Sequence, residues 1–82
     1  MINVQLDKKN DILYITLSDM SNSYGDEDDN GNVIFRDLKT DRITGITIFD
    51  FIMKYDNMKI RELKLPVAID FETDVFPSLG LH

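Results

Sequence analysis

Hydrophobic and polar residues alternate in several short stretches of the chain, and this alternation predicts β-strands. Residues 2–6 show the period of two that is typical of a half-buried strand. Residues 12–18 are rich in β-branched and aromatic side chains, and both sets of alternate positions are largely apolar. We therefore expect a central strand there, covered at least partly on both faces. Third and fourth strands are predicted at 33–38 and 43–49.

The segments between and after these strands predict loops and helical turns. Residues 19–32 are rich in Ser, Asn, Asp and Gly, which predicts one long loop or a loose hairpin tip. Asp50 is a candidate N-cap for a helix that begins at Phe51. Alternation returns at 65–71, where Pro66 restricts the segment to a strand start or an edge strand.

Strands come first in this chain and helical material follows, which is an α+β pattern. The short connections favour antiparallel hairpins. We predict a single small domain over residues 1–82: a meander-like antiparallel sheet of about four strands, packed with short C-terminal helical segments. One helical turn is predicted at 56–63, and a candidate edge strand follows it. Because 82 residues bury little apolar surface, self-association is a natural source of further burial.

Net charge narrows the classes of partner. The chain has 15 acidic and nine basic residues and a formal charge of −6. Binding to DNA or RNA needs clustered Lys and Arg to replace phosphate counterions, so nucleic acid is not an expected partner. An anionic membrane surface is disfavoured for the same reason. A basic protein is the partner class that electrostatics permits, although the charge also simply keeps a small domain soluble.

The chain lacks, or places poorly, the residues that several kinds of catalysis need. The chain has no cysteine, which excludes disulfides, thiolate metal sites and cysteine nucleophiles. The single histidine is His82, and a terminal base is poorly placed for a catalytic triad. We expect no enzymatic activity and no cofactor. Neither a signal sequence nor a long apolar span is recognisable, so a cytoplasmic location is expected.

Three strand motifs carry a family resemblance. Residues 11–19 read Asp-Ile-Leu-Tyr-Ile-Thr-Leu-Ser-Asp, residues 33–37 end in Asp, and residues 43–48 read Ile-Thr-Gly-Ile-Thr-Ile. Over roughly residues 2–52 the chain resembles domain-of-unknown-function family 2283, a family of small bacterial proteins. The resemblance implies no established activity. Some small proteins of this type are encoded beside candidate toxins, which implies an antitoxin-like partner of a basic protein as one role.

The most specific local motif lies in residues 26–32, here called the acidic loop. Residues 26–31 fit D-x-D-x-N-G, the first half of a calcium loop, with Asp26, Asp28 and Asn30 as ligands and Asp37 at the twelfth position. The flanks are predicted strands, whereas an EF-hand needs helices, so a calcium loop of another kind is the alternative function. The competing interpretation is a solvated type I′ turn at Asn30–Gly31.

A looser set of carboxylates lies at the ends of the third and fourth strands. Two of the residues Asp37, Asp41 and Asp50 could act as an acid–base pair if one of them were desolvated. Aspartate also bonds local backbone amides, so turn and cap residues are the favoured interpretation. Catalysis by carboxylates alone, such as Asp37 with Asp50, is the third functional hypothesis.

Three aromatic residues are candidate interface anchors. Tyr14 lies on the less buried face of the second predicted strand, and tyrosine is enriched at interfaces. Phe49 and Tyr55 belong to an apolar cluster at the strand-to-helix junction, which is either core or a dimer contact. The leading hypothesis is a non-enzymatic protein-interaction module that forms a homodimer.

Overall fold

A computed structural model describes residues 2–60 and 65–81 of the chain. The elements, in chain order, are β1 (Asn3–Asp7), β2 (Ile12–Thr16), β3 (Ser23–Glu27), β4 (Val33–Asp37), β5 (Ile43–Phe49), α1 (Phe51–Asp56), a π-helical turn (Phe71–Val75) and α2 (Phe76–Leu79). The predicted helical turn at 56–63 lies partly outside the described residues.

The five strands form one antiparallel sheet with the order β1-β2-β5-β4-β3. β1 and β2 make one hairpin, and β3, β4 and β5 make a meander. The pairing of β2 with β5 joins the two units. The predicted α+β class with an antiparallel sheet is confirmed, because short helical segments follow this sheet in the chain.

The prediction of a continuous loop over 19–32 is wrong for residues 23–27, which form β3. β3 lies at the edge of the sheet and pairs only with β4. Four of its five residues are exposed, so it contributes almost nothing to the core. Its polar composition, suited to an exposed edge, hides the alternation that reveals a buried strand.

The candidate edge strand at 65–71 does not form. Residues 65–70 adopt no regular structure, and the π-helical turn begins at Phe71. Leu65, Val67 and Ile69 are nonetheless partly buried against the hydrophobic core, while the residues between them are exposed. The alternation therefore reflects a segment that packs one face on the core but does not pair with a neighbouring strand.

The core lies between one face of the sheet, here called the covered face, and the C-terminal segments. The buried hydrophobic residues of the described chain are Leu13, Ile15, Ile34, Ile46 and Ile48 from the sheet, and Phe51, Ile60 and Val75 from beyond it. The ring of Phe51 lies 6.5 Å from that of Phe71 and 6.4 Å from that of Phe76. Aromatic packing therefore joins α1 to the C-terminal segment.

Asp50 stands at the N-cap position of α1 as predicted, but its carboxylate does not cap the helix. Asp11 does so instead: its Oδ1 accepts from the Ile52 N–H at 2.7 Å, and its Oδ2 accepts from the Met53 N–H at 3.2 Å. The Phe51 N–H reaches the Asp11 carbonyl at 3.4 Å. The β1–β2 turn thus fixes the start of α1.

Gly45 lies in β5 at a close backbone approach and beside a bulge, two settings in which glycine is common inside a strand. The β4–β5 register shifts beside it: Phe35 pairs with Gly45, and Arg36 pairs with Ile43. A Cβ on Gly45 would lie 2.7 Å from Met20 Sδ and 3.0 Å from the Ile15 carbonyl oxygen. Glycine therefore lets the Met20 side chain lie directly on the strand.

Candidate functional site

The second face of the sheet, here called the open face, is defined by strand pairing. Tyr14 pairs with Thr47, which pairs with Val33. Ile12 pairs with Phe49 on the same face, because successive strand residues point to opposite sides. These residues lie on the side opposite the buried cluster of the covered face.

The centre of the open face is apolar and accessible. Tyr14 is 41% exposed and Phe49 is 40% exposed. The two are diagonal neighbours on β2 and β5, a relation that places residues about 7–8 Å apart. Val33 and Phe35 extend the surface onto β4, where both are half-buried. The face therefore carries a contiguous patch of large apolar side chains.

Charges on the open face lie at its margins. Asp7 ends the edge strand β1, and Glu27 ends the edge strand β3. The row that crosses the middle of the sheet runs from Gln5 through Tyr14, Thr47 and Val33 to Glu27, as the register shows. An apolar centre with a polar rim is the usual anatomy of a protein interface.

Tyr55, the third predicted anchor, lies away from this face. Its ring meets that of Phe76 edge-on at 5.0 Å, within the C-terminal aromatic cluster. The structure therefore brings Tyr14 and Phe49 together and separates Tyr55 from them. Sequence reasoning missed Val33 and Phe35 as members of this surface, although alternation along β4 places both on one face.

The acidic loop closes the β3–β4 hairpin. Asp28 Oδ1 accepts from the N–H groups of Asn30 and Asn32, each at 2.9 Å. The Gly31 N–H donates to the Asp28 carbonyl at 3.1 Å, and Gly31 has φ 83°. Asn30 has no positive φ, which a type I′ turn requires, so that turn type is wrong. Instead, residues 29–31 form a three-residue loop in which Gly31 has a left-handed backbone conformation.

The proposed calcium ligands do not all meet. Asp26, Asp28 and Asn30 belong to this loop and the strand before it, whereas Asp37 ends β4 at the opposite end of the hairpin, about 13 Å away along the strand. Within the described residues, no group of three acidic or histidine side chains is placed to hold a metal ion. Calcium binding by the loop stays a prediction.

One buried polar group near this loop was missed by sequence reasoning. Asn32 is fully buried, and both polar atoms of its side chain lack a hydrogen-bond partner among residues 2–60 and 65–81. Asp28 Oδ2 is also buried and has no hydrogen-bond partner among the described residues. No sequence signal separates Asn32 from the exposed polar residues around it.

Asp37 and Asp7 organise two turns of the same design. Asp37 Oδ1 accepts from the N–H groups of Lys39 and Thr40 at 2.8 and 2.9 Å. Asp7 Oδ1 accepts from the corresponding groups of Lys9 and Asn10 at 3.1 and 3.2 Å. Backbone bonds from Thr40 and Lys39 lower the pKa of Asp37, and bonds from the Asn10 side chain and backbone lower that of Asp7.

The loose carboxylate set likewise consists of turn residues placed apart. Asp41 follows Asp37 in its turn, with φ 61°, and accepts a hydrogen bond from the Tyr24 hydroxyl at 2.7 Å. That bond raises the pKa of Tyr24. Asp50 lies beyond the other end of β5. An acid–base pair of Asp37 with Asp50 would therefore have to act across the length of that strand.

No helix in the described part of the chain is long and apolar enough to cross a membrane. Comparison with curated proteins and with solved structures found no match. Comparison with protein families matched residues 3–51, more than half of the chain, to the family described as "Protein of unknown function (DUF2283)". The match covers all five strands and the first residue of α1. The chain therefore belongs to the DUF2283 family.

Proposed function

We propose that this chain is a non-enzymatic protein-interaction module that forms a homodimer through the open face. The observation that supports the proposal is the adjacency of Tyr14 and Phe49, which are 41% and 40% exposed at the centre of that face. Contiguous exposed apolar patches mark interaction sites in soluble proteins. Aromatic anchors supply most of the binding energy in such patches.

The geometry favours a second copy as the partner. Two sheets pack face to face at about 10 Å, with interdigitating side chains. A two-fold axis would place Tyr14 and Phe49 of one protomer against the same patch of the other. Each copy carries −6, so the protomers repel at long range, but the face keeps Asp7 and Glu27 at its margins. Salt that screens this repulsion should strengthen the dimer.

The size of the face sets the expected affinity. Five strands spaced about 4.8 Å apart, with about five residues each, cover roughly 24 by 17 Å. Burying such a face on both protomers would remove less than about 1,200 Å² of total surface from solvent, which is at the low end of the range for specific interfaces. The dimer should therefore be concentration-dependent, with a dissociation constant in roughly the micromolar range.

Sedimentation velocity over a concentration series, at low and high salt, tests the proposal. Tyr14→Ser and Phe49→Ser should each weaken dimerisation about tenfold or more, a loss of about 1.4 kcal/mol. Tyr24→Ser is the matched control, because Tyr24 is 40% exposed and lies on the other side of the sheet. It should change the dissociation constant less than about twofold.

Thermal unfolding of each variant establishes that the fold is retained. A wild-type chain that stays monomeric at the highest concentration would exclude self-association. Equal weakening by Tyr14→Ser and Tyr24→Ser would show that another surface forms the dimer. A dimer that dissociates as salt rises would contradict an apolar interface between like-charged copies.

A further inference from the structure

Three buried polar atoms of the acidic loop have no hydrogen-bond partner among the described residues. They are Oδ2 of Asp28 and both polar side-chain atoms of Asn32, a residue with no exposed surface. Folded proteins leave few such atoms unpaired, because each one costs free energy, and an exception calls for an explanation such as a bound water or ion. These atoms therefore point to a ligand that the described residues do not supply.

Asp28 and Asn32 face each other at the end of the β3–β4 hairpin. The Asp28 N–H donates to the Asn32 carbonyl at 2.8 Å, and Asp28 Oδ1 accepts from the Asn32 N–H at 2.9 Å. They are thus the next opposed pair after Glu27 and Val33. Opposed residues in antiparallel strands share a face and have Cβ atoms about 4.5–5.5 Å apart. The Asn32 side chain and the Asp28 carboxylate therefore border the same space, where one small ligand can contact both.

This space lies on the covered face, beside a cleft. Asp26 pairs with the buried Ile34, and Asp28 follows Asp26 by two residues, which places all three on that face. A cleft of about 340 Å³ is lined by these residues and by Arg36. A guanidinium nitrogen of Arg36 donates to the Asp41 carbonyl at 3.2 Å, in the turn beyond the other end of β4. The cleft gives a small ion a route from solvent to Asp28.

The chemistry of the unpaired atoms favours a cation over a water molecule. Asp28 Oδ2 belongs to a carboxylate whose other oxygen accepts from the N–H groups of Asn30 and Asn32. No Lys or Arg of the described residues pairs with this carboxylate. Buried charges in proteins are paired or bind metal ions, and water satisfies a hydrogen bond without supplying the opposite charge. Carboxylate and amide oxygens are the ligands that hard cations prefer.

We infer that Asp28 Oδ2 and Asn32 Oδ1 bind Ca²⁺, with Asp26 as a further ligand at the mouth of the cleft. Because both atoms are shielded from solvent, the ion must lose part of its hydration shell, which Mg²⁺ gives up reluctantly. Two carboxylates and one amide make a weak site, with a dissociation constant of about 0.1–1 mM. The predicted ligands Asn30 and Asp37 are not part of this set. The inference goes beyond the proposed dimer, because this site and the open face lie on opposite sides of the sheet.

Thermal unfolding of the full chain tests the inference. The melting temperature is measured in about 10 mM CaCl₂, in about 10 mM MgCl₂ and in NaCl of the same ionic strength. Calcium should raise it by at least about 4 °C relative to NaCl, because a ligand that binds only the folded state stabilises that state by mass action. Magnesium should raise it by less than about 1 °C.

Two pairs of variants locate the ion. Asp28→Asn keeps an acceptor for the loop N–H groups but removes the carboxylate, whereas Asp29→Asn removes the same charge from an exposed position of the same loop. Asn32→Leu removes the buried amide, whereas Asn30→Leu removes an exposed one. The calcium shift should disappear in Asp28→Asn and Asn32→Leu and persist in the other two variants. The melting temperature in NaCl shows that each variant folds.

Three outcomes would overturn the inference. A wild type that does not respond to calcium would show that water or the chain itself satisfies these atoms. Equal shifts with calcium and magnesium, or equal loss of the shift in Asp28→Asn and Asp29→Asn, would show general charge screening. The Tyr14→Ser variant separates this site from the proposed dimer. It should show the full calcium shift even where it no longer self-associates.

Discussion

Asp11 and Asp50 adopt nearly the same left-handed backbone conformation, with φ of 54° and 55°. Only Asp11 uses its carboxylate to cap α1, through Ile52 and Met53. Both residues precede a regular element, and both are aspartates, which tolerate this conformation better than most side chains. The same residue type in the same backbone conformation therefore caps a helix at one position and not at the other, because only Asp11 has the free N–H groups of α1 within reach of its carboxylate.

This pair allows a matched test of the cap. Asp11→Ala and Asp50→Ala suffer the same backbone penalty, since alanine is disfavoured at positive φ at either position. Asp11→Ala also loses two hydrogen bonds to a charged acceptor. It should be less stable than Asp50→Ala by about 1–2 kcal/mol in urea unfolding. Equal stability of the two variants would show that the Asp11 carboxylate contributes nothing to the cap.

At the scale of elements, two hairpins use one turn design. Residues 7–11 read Asp-Lys-Lys-Asn-Asp and residues 37–41 read Asp-Leu-Lys-Thr-Asp. In each, the first aspartate ends a strand and accepts two backbone N–H bonds, and the last has positive φ. β2 and β5, which follow these turns, pair at the centre of the sheet. The repeated D-x-K-x-D pattern is a sequence signal for both hairpins.

These turns predict a specific dependence of stability on pH. The pKa of Asp37 in the folded chain lies below its ordinary value of 3.8, so the unfolded chain takes up the proton first as pH falls. Its stabilising contribution is complete above that ordinary value and is lost as pH falls through the lower, folded value. Asp37→Asn keeps an acceptor oxygen without the charge, so its melting temperature should fall less steeply below pH 4 than that of the wild type.

The control for this prediction is Asp29→Asn, which removes one exposed charge without touching either turn. It should retain the steep acid dependence of the wild type. If Asp29→Asn flattens the profile as much as Asp37→Asn, then overall charge, and not the turn, governs the acid sensitivity.

At the scale of the whole molecule, the family region, residues 3–51, and the C-terminal layer, which comprises Ile60 and residues 65–81, depend on each other. The family match ends at residue 51, yet Ile60 and Val75, which complete the core, lie beyond it. Without the C-terminal layer, the covered face would expose Leu13, Ile15 and Ile48. In this chain the two regions therefore form one hydrophobic core.

Val75 tests this dependence. It is fully buried, and Val75→Ala should destabilise the whole chain by roughly 1–3 kcal/mol, as a single cooperative transition with a lower urea midpoint. Val67→Ala is the control, because Val67 is only partly buried in the same layer, and it should cost less. If loss of Val75 melts only the C-terminal layer while the sheet unfolds at its original midpoint, the two regions do not share one core.

The pattern of apolar residues was sufficient to predict the α+β class and four of the five strands, because buried strands need alternating or continuous apolar residues. Three strand motifs were sufficient to identify the family. Tertiary structure decided the rest. β3 is recognisable only through its pairing with β4, since an exposed edge strand needs no apolar residues. Asp11 caps a helix 41 residues away, a relation that no local pattern records.

For the candidate surfaces too, some features were predictable from the sequence and others depended on strand pairing. Alternation along β2 assigned Tyr14 to the less buried face, but only the register of β2 with β5 places Phe49 beside it. The alternation of Leu65, Val67 and Ile69 was real, and the backbone still formed no strand, because these side chains pack on the core from an irregular segment. Periodicity shows which side chains are buried, whereas hydrogen-bond partners distant in sequence decide which element they form.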